Sequence, residues 1–385
     1  MPRWLYYSLI LTIVAPIISL VPGPKPAMVI FIFAVLGLIP LAAFIGRATE
    51  DLEFYVGPVA GGLLNATFGN APELIIGIFA LQAGLISVVK ASITGSIISN
   101  ALLVLGGSLA LGGWRWGEQY FSNRDAGEYS AMMVLAVAGL LIPYTASIAH
   151  TDKSSTEPIS VGISVILLLI YIMYLALTVF HIRSTRRNPL RRDKTKTTVP
   201  LKMPKEADEQ ESEEVEGVTG GVDPRELTKI KPPPQWVSLL ILFGATIGTA
   251  WNSELLVGTL ETVSHQLGWS PVFIGLVIVP IVGNAAEHSS ALIVAYKDRV
   301  DLSVAIAAGS SIQVATFVAP VLVLVSLFFT HHLDLVFQPL ELVLVGLAAI
   351  LFTFVSLDGK STWLEGMQLM AVYVMACVVF FLLPG

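Results

Sequence analysis

Long apolar runs separated by short polar stretches dominate the hydropathy pattern of this 385-residue chain. A membrane-spanning helix needs about 20 mostly apolar residues, and eleven stretches meet or approach that length. They cover residues 4–20, 27–46, 57–82, 88–112, 128–149, 158–182, 236–258, 271–296, 302–330, 336–356 and 362–383. The pattern therefore predicts an all-α polytopic membrane protein with about eleven transmembrane helices.

Ten of these segments fall into two halves that resemble each other. The stretch Gly-Asn-Ala-Pro-Glu at 69–73 aligns with Gly-Asn-Ala-Ala-Glu at 283–287 when the sequence is shifted by 214 residues. The same shift superposes small residues: Gly61 on Gly275, Ala91 on Ala305, Gly95-Ser96 on Gly309-Ser310, and Ala101 on Ala315. One internal duplication accounts for all these matches. Because each half has an odd number of spans, the two five-helix repeats are predicted to be inverted.

The duplication divides the chain into four parts. Residues 1–26 form an extra N-terminal transmembrane helix, 27–182 the first repeat, 183–235 a linker and 236–385 the second repeat. Cytoplasmic loops retain an excess of Lys and Arg. With the linker inside, seven basic loop residues are cytoplasmic and three are outside: Arg3, Arg47, Arg115, Arg124, Lys297, Arg299 and Lys360 against Lys25, Lys90 and Lys153. This predicts a cytoplasmic N-terminus and an external C-terminus.

The linker segregates its charges. Basic residues gather between Arg183 and Lys196, and a run of seven acids follows: Glu206, Asp208, Glu209, Glu211, Glu213, Glu214 and Glu216. One interpretation is a solvated connector between two halves. The other is a regulatory segment that binds calcium weakly or docks on the basic run.

Composition agrees with the hydropathy pattern. The chain is 55% hydrophobic and only 13% charged, with a mean hydropathy of +0.77, which excludes a soluble domain. The net charge of −6 gives no indication of nucleic-acid binding, and the single cysteine, Cys377, excludes an intrachain disulfide. We expect an integral membrane protein of a prokaryotic plasma membrane, although a vacuolar membrane suits the same chemistry. A homo-oligomer is left open.

Glu73 and Glu287 are the candidate functional residues. Each is the seventeenth residue of its apolar segment, and the two segments run in opposite directions, so the carboxylates are expected to meet near the bilayer centre. A charge at that depth costs about 3 kcal/mol on insertion scales. A structural ion pair is the simplest alternative, but no Lys or Arg lies in the centre of any predicted span. His288 is the nearby candidate cation, and one imidazole does not compensate two carboxylates.

Residues that weaken helices surround both carboxylates. Pro72, Gly69 and Gly283 are expected to break their helices and free backbone carbonyls, with Asn70 and Asn284 adding side-chain oxygens. A second polar row would come from the partner segments: Ser96, Ser99, Asn100, Ser310, Ser311 and Gln313, with His288 beside them. Calcium prefers such hard oxygen ligands, and secondary transporters build their sites where discontinuous helices meet.

Two buried carboxylates that share a site favour protons when no cation is bound, and calcium displaces those protons. A site that holds either calcium or protons, and opens to one side at a time, is an antiporter. We therefore expect transported calcium and protons without a cofactor, with two protons per calcium as a working stoichiometry.

Three alternatives compete with this interpretation. Sodium/calcium exchange, or transport of manganese or another divalent cation, is the closest. A cation channel would use the glutamates as a selectivity ring. An embedded enzyme is disfavoured, because the chain lacks a His-Glu-x-x-His pattern or a paired base at depth.

At these residues the chain resembles the cation/proton exchanger family, the calcium/proton branch of the calcium/cation antiporters. The resemblance rests on residues 69–73 with Leu74 and on Gly-Asn-Ala-Ala-Glu-His at 283–288. It implies that Glu73 and Glu287 bind the cation, with Asn70 and Asn284 beside them. It also implies an outer gating pair of long helices, 27–46 and 236–258, that slides against a core of the other eight.

The sodium/calcium branch usually has Thr or Ser directly after the motif glycine. Asn70 and Asn284 occupy those places here, which favours protons as the coupling ion. The repeat is imperfect at one polar position: Asn100 is matched by Val314, and Gln313 lies one residue earlier. This predicts a smaller contribution of the second half to the cation shell.

Overall fold

A computed structural model describes residues 3–149, 156–187 and 232–383, which are almost entirely helical. The helices are α1 (Arg3–Leu20), α2 (Ala27–Phe68), α3 (Ala71–Gln82), α4 (Ile86–Trp116), α5 (Asn123–Ala149), α6 (Thr156–Arg187), α7 (Gln235–Leu267), α8 (Pro271–Gly283), α9 (Ala285–Tyr296), α10 (Val300–Ser326), α11 (Pro339–Ser356) and α12 (Trp363–Leu382). Two short strands, β1 (Gln119–Tyr120) and β2 (Lys360–Ser361), pair antiparallel between loops. The predicted linker falls largely, and its acidic run wholly, outside the described residues.

Every predicted span is helical in the described ranges. Among the described residues, eight helices are long and apolar enough to cross a membrane, and α8 with α9 passes the same test as a pair bent by 60°. The apolar helices α1 and α3 are shorter. The all-α, polytopic membrane architecture is thereby confirmed.

The predicted end of the second span was wrong. The hydropathy pattern placed it at 46, but the helix continues to Gly57, where a φ of 82° breaks it. The intervening charges did not end the helix, because Arg47 pairs with Glu50 and Asp51 at helical spacing. Smaller differences occur at α10, which ends at Ser326 rather than 330, and at α11, which begins at Pro339 rather than 336.

The internal duplication is visible in the helix boundaries. Shifting α3 (Ala71–Gln82) by 214 residues reproduces α9 (Ala285–Tyr296) at both ends. α4 and α10 begin at matching positions, and each contains a π-helical turn, Ser99–Val104 in α4 and Val314–Val318 in α10. Packing repeats as well: α4 packs on α12, and α10 packs on α6. The described helices thus repeat in order and in packing, as the duplication predicts.

The two longest described helices, α2 and α7, pack along each other. They correspond to the outer gating pair that the family resemblance implies. α1 packs against both helices. Asn252 of α7 holds α1 in place: the buried Nδ2 of Asn252 donates a hydrogen bond to the carbonyl of Thr12 at 3.0 Å. The remaining helices surround the two helix breaks, where the candidate site lies.

Candidate cation-binding site

The two helix breaks lie at the predicted residues. Asn70 ends one helix and precedes α3, and Asn284 separates α8 from α9, with nearly equal backbone angles (φ −95°, ψ 14° and φ −93°, ψ 18°). Pro72 lies in the first turn of α3, where its missing N–H is harmless. The second repeat has Ala286 at that place and is broken all the same. The Gly-Asn pair that the two breaks share, rather than the proline, therefore accounts for both.

Both carboxylates lie in the first turn of their helices, Glu73 in α3 and Glu287 in α9. The positive end of the helix dipole and unpaired N–H groups favour negative charge there. This offsets part of the burial cost that the sequence analysis left to ligands alone.

The environments of the two carboxylates differ. Glu73 is only 8% exposed, and a Cβ on Gly283 would lie 3.0 Å from its Oε1. Its Oε2 is buried and finds no hydrogen-bond partner among the described residues. Glu287 instead lines a cavity. An unpaired buried carboxylate oxygen needs a proton or a cation, so Glu73 is placed for either.

The second polar row forms a chain of hydrogen bonds across the site. His288 Nε2 donates to Asn100 Oδ1 at 3.1 Å, and Asn100 Nδ2 donates to Ser310 Oγ at 2.7 Å. Ser310 then donates to Asn284 Oδ1 at 3.2 Å, and Asn284 Nδ2 donates to Ser96 Oγ at 3.1 Å. The chain joins residues of both repeats.

The remaining predicted residues divide into two groups. Asn70 Nδ2 donates to Gln313 Oε1 at 2.7 Å, so Gln313 takes part although it is out of register with Asn100. Ser99 donates to the carbonyl of Ser96 in its own helix at 3.2 Å. Ser311 Oγ lies 3.0 Å from the carbonyl of Ala307 in its own helix and 3.4 Å from the carbonyl of Ile97 in α4, so Ser311 also links the two repeats.

The imperfect repeat at Asn100 has a local explanation. Asn100 is polar because its partner is His288. In the other repeat the two equivalent positions are Val314 and Leu74, both in the main apolar core. A polar pair in one half thus corresponds to an apolar pair in the other. The mismatch of Asn100 with Val314 is thus one half of a paired difference, and the other half, His288 against Leu74, is also visible at a shift of 214 residues.

A cavity of about 520 Å³ reaches the site from one face. It extends from Glu287, Ser310 and Gln313 to Arg47 and Glu50 in the middle of α2, a stretch predicted to be cytoplasmic. No group of three or more His, Cys, Asp or Glu side chains converges in the described ranges. A cation shell here would combine the two carboxylates with amide, hydroxyl and carbonyl oxygens, which suits calcium.

Helices α4 and α8 pack closely on each other, a contact that we call the seal. A Cβ on Gly95 of α4 would overlap the carbonyl of Leu276 in α8, and one on Gly275 would lie 3.1 Å from the Cβ of Ala91. The equivalent contact in the other repeat is absent: a Cβ on Gly309 would meet nothing within 4 Å, and Gly309 lines the cavity. The duplicated segments are therefore packed differently: the contact is formed at Gly95 and is open at Gly309.

Inverted repeats, broken helices and paired carboxylates at the breaks define a class, the secondary transporters for cations. The chain belongs to the sodium/calcium exchanger protein family, whose model matches residues 26–180 and 237–382.

Its relatives include named calcium/proton antiporters. It is 42% identical over 359 residues to the Ca(2+)/H(+) antiporter of Aphanothece halophytica, covering 92% of this chain and 90% of that protein. It is also 42% identical over 362 residues to Ca(2+)/H(+) antiporter ChaA of Bacillus subtilis (strain 168), with 93% of each covered. Among solved structures, the selenium-substituted Ca2+/H+ antiporter YfkE superposes with a TM-score of 0.78 at 37% identity, over 99% of this chain and 100% of that one.

Proposed function

We propose that this protein exports cytosolic calcium in exchange for protons, by alternating access at Glu73 and Glu287. The observation that carries the proposal is the pair of carboxylates at equivalent helix breaks, one covered by Gly283 and the other lining an open cavity. The names of the bacterial relatives support calcium and protons as the exchanged ions.

The asymmetry of the site suggests how exchange proceeds. In this state calcium reaches Glu287 through the cavity, and α8 covers Glu73. In the opposite state the repeats exchange roles: the segment that ends at Gly69 covers Glu287, and Glu73 opens outward. The carboxylates release protons to bind calcium and take them up after calcium leaves. The chain acts by binding and conformational change, without covalent chemistry or a cofactor.

Protons fit the site better than sodium as the coupling ion. Amides at Asn70 and Asn284 replace the hydroxyls expected beside a sodium ion, and they are engaged with Gln313, Ser96 and Ser310. Sodium/calcium exchange and transport of another divalent cation are the alternatives. The sealed packing of α4 on α8 speaks against a continuous channel.

The predicted topology belongs to the proposal. We place the protein in a bacterial plasma membrane with the N-terminus and the linker in the cytoplasm and the C-terminus outside. The four-part division at 26, 182 and 235 and the regulatory role of the acidic run remain predictions.

Calcium uptake into proteoliposomes tests the function, with an imposed pH gradient compared with a matched sodium gradient. Uptake is expected to require the pH gradient and to ignore sodium. Glu73→Gln and Glu287→Gln should each lower the rate at least about a hundredfold, because one carboxylate no longer exchanges a proton for calcium.

Glu128→Gln is the matched control, since Glu128 is an exposed carboxylate paired only with Arg124 in the described contacts. It should retain the wild-type rate. Sodium-driven uptake would assign the protein to sodium/calcium exchange. Uptake that survives in either site variant would refute the paired site.

A further inference from the structure

Arg47 is a cation in the wall of the cavity through which, under the proposed function, calcium enters. Its side chain lies in the lining with Glu50 and Glu287, and no other Lys or Arg of the described residues lines this cavity. A fixed positive charge beside a cation pathway repels the ion that the pathway admits. The position of Arg47 is therefore the unexpected feature of this entrance.

Two carboxylates hold the guanidinium, and they differ in burial. Its NH2 nitrogen lies 3.1 Å from Oδ1 of Asp51, which is 7% exposed. Its NH1 nitrogen lies 3.4 Å from Oε2 of Glu50, which is 64% exposed. Asp51 does not line the cavity, whereas Glu50 does. Arg47 thus joins a carboxylate inside the protein to one in the entrance.

The two ion pairs have different strengths. Separating Arg47 from Asp51 would leave a buried charge unpaired, which is costly, whereas Glu50 is solvated and its pair is weak. An entering cation can therefore bind Glu50 while Arg47 keeps its ion pair with Asp51. A divalent ion is attracted to Glu50 twice as strongly as a monovalent one at the same distance, so it competes better with Arg47.

The trio of Arg47, Glu50 and Asp51 occurs in the first repeat only. The positions equivalent to Arg47, Glu50 and Asp51 in the second repeat are Glu261, Ser264 and His265. The duplication therefore does not explain the trio, and its location is confined to the face from which the cavity opens.

We propose that Arg47 is a specificity-determining residue of cytoplasmic cation entry. Its ion pair with Glu50 keeps monovalent cations from binding that carboxylate, whereas calcium displaces Arg47 and binds Glu50. The inference rests on the proposed calcium/proton exchange and adds to it a selection step at Glu50, in the wall of the cavity that Glu287 also lines.

The test uses inside-out membrane vesicles, which turn the cytoplasmic face to the medium. The calcium concentration for half-maximal uptake is measured under an imposed pH gradient at low and at physiological potassium. Arg47→Gln is expected to lower the half-maximal calcium concentration about two- to fourfold at low potassium, as the removal of one screened charge predicts. Physiological potassium should raise the half-maximal concentration of Arg47→Gln and leave that of the wild type nearly unchanged. The maximal rates of the two proteins should be equal.

Arg124→Gln is the matched control, because Arg124 pairs with Glu128 at the same 3.4 Å separation but lies outside the cavity lining. It should behave as the wild type. Glu50→Gln gives an independent check that leaves the Arg47–Asp51 pair intact, and it should raise the half-maximal concentration at low potassium.

Unchanged calcium and potassium dependence in folded Arg47→Gln, or an unchanged half-maximal concentration in Glu50→Gln, would refute the role of Arg47. Absence of pH-driven uptake by the wild type would refute the proposed function itself, so the two failures are distinguishable.

Discussion

Single residues carry the difference between the two repeats. Glu73 and Glu287 could be identified from the sequence, because a carboxylate in an apolar segment is conspicuous whatever surrounds it. The partners of His288 and Asn100 could not, since a polar residue in a membrane helix equally well bonds its own backbone, as Ser99 does. Only packing decides between the two.

The hydrogen bond between His288 and Asn100 predicts thermodynamic coupling. His288→Leu and Asn100→Val should each lower the free energy of unfolding by about 1–3 kcal/mol, because each leaves a buried polar group unpaired. The double variant copies Leu74 and Val314 of the other repeat, and should cost at least about 0.5 kcal/mol less than the sum. Thermal unfolding of the detergent-solubilised protein measures this.

His288→Leu combined with Ser99→Ala serves as the additivity control, because Ser99 donates within its own helix. Additivity of His288→Leu with Asn100→Val would show that the two side chains do not interact.

At the scale of helices, local residue preferences account for the breaks and long-range packing accounts for the seal. The Gly-Asn pairs interrupt both helices at matching positions. Gly95 and Gly309 occupy equivalent positions, and either glycine would allow another helix to approach closely. Only Gly95 lies against another backbone. Which of two equivalent glycines is in contact is a property of the conformation.

This pair of glycines gives a matched comparison of stability. Gly95→Ala should lower the unfolding free energy by about 1–3 kcal/mol, because its Cβ overlaps the Leu276 carbonyl. Gly309→Ala should be neutral or stabilising by up to about 1 kcal/mol, since it meets nothing and alanine favours helix. Melting temperatures in detergent check the order, and equal losses in both variants would contradict the asymmetric packing.

At the scale of the whole molecule, the exchange of roles between repeats predicts a contact that this conformation lacks. The seal brings Gly275 against Ala91, and their counterparts are Gly61 and Ala305. If the repeats exchange conformations, Gly61 and Ala305 approach each other when the cavity closes.

Engineered disulfides can detect this exchange, with Cys377, the single native cysteine, replaced by Ser. Ala91→Cys with Gly275→Cys should cross-link at rest, because their Cβ atoms lie close together. Gly61→Cys, whose Cβ must displace the Glu53 side chain, should cross-link with Ala305→Cys only during turnover with calcium and a pH gradient, provided that the variant retains transport when reduced. Loss of maleimide labelling reports each bond. A Gly61–Ala305 pair that stays open throughout turnover would contradict the exchange of roles.

The sequence by itself determined the all-α membrane architecture, the duplication, the two helix breaks and the position of a carboxylate after each break. These follow from apolar length, residue period and local backbone preference, which act over a few neighbouring residues. Tertiary structure alone decided which of the two equivalent helix contacts is formed, which polar residues pair, how far α2 extends and that Arg47 lines the cavity. The reason is physical: two nearly equivalent sequences share the same local preferences, so any difference between them must come from contacts made across the fold.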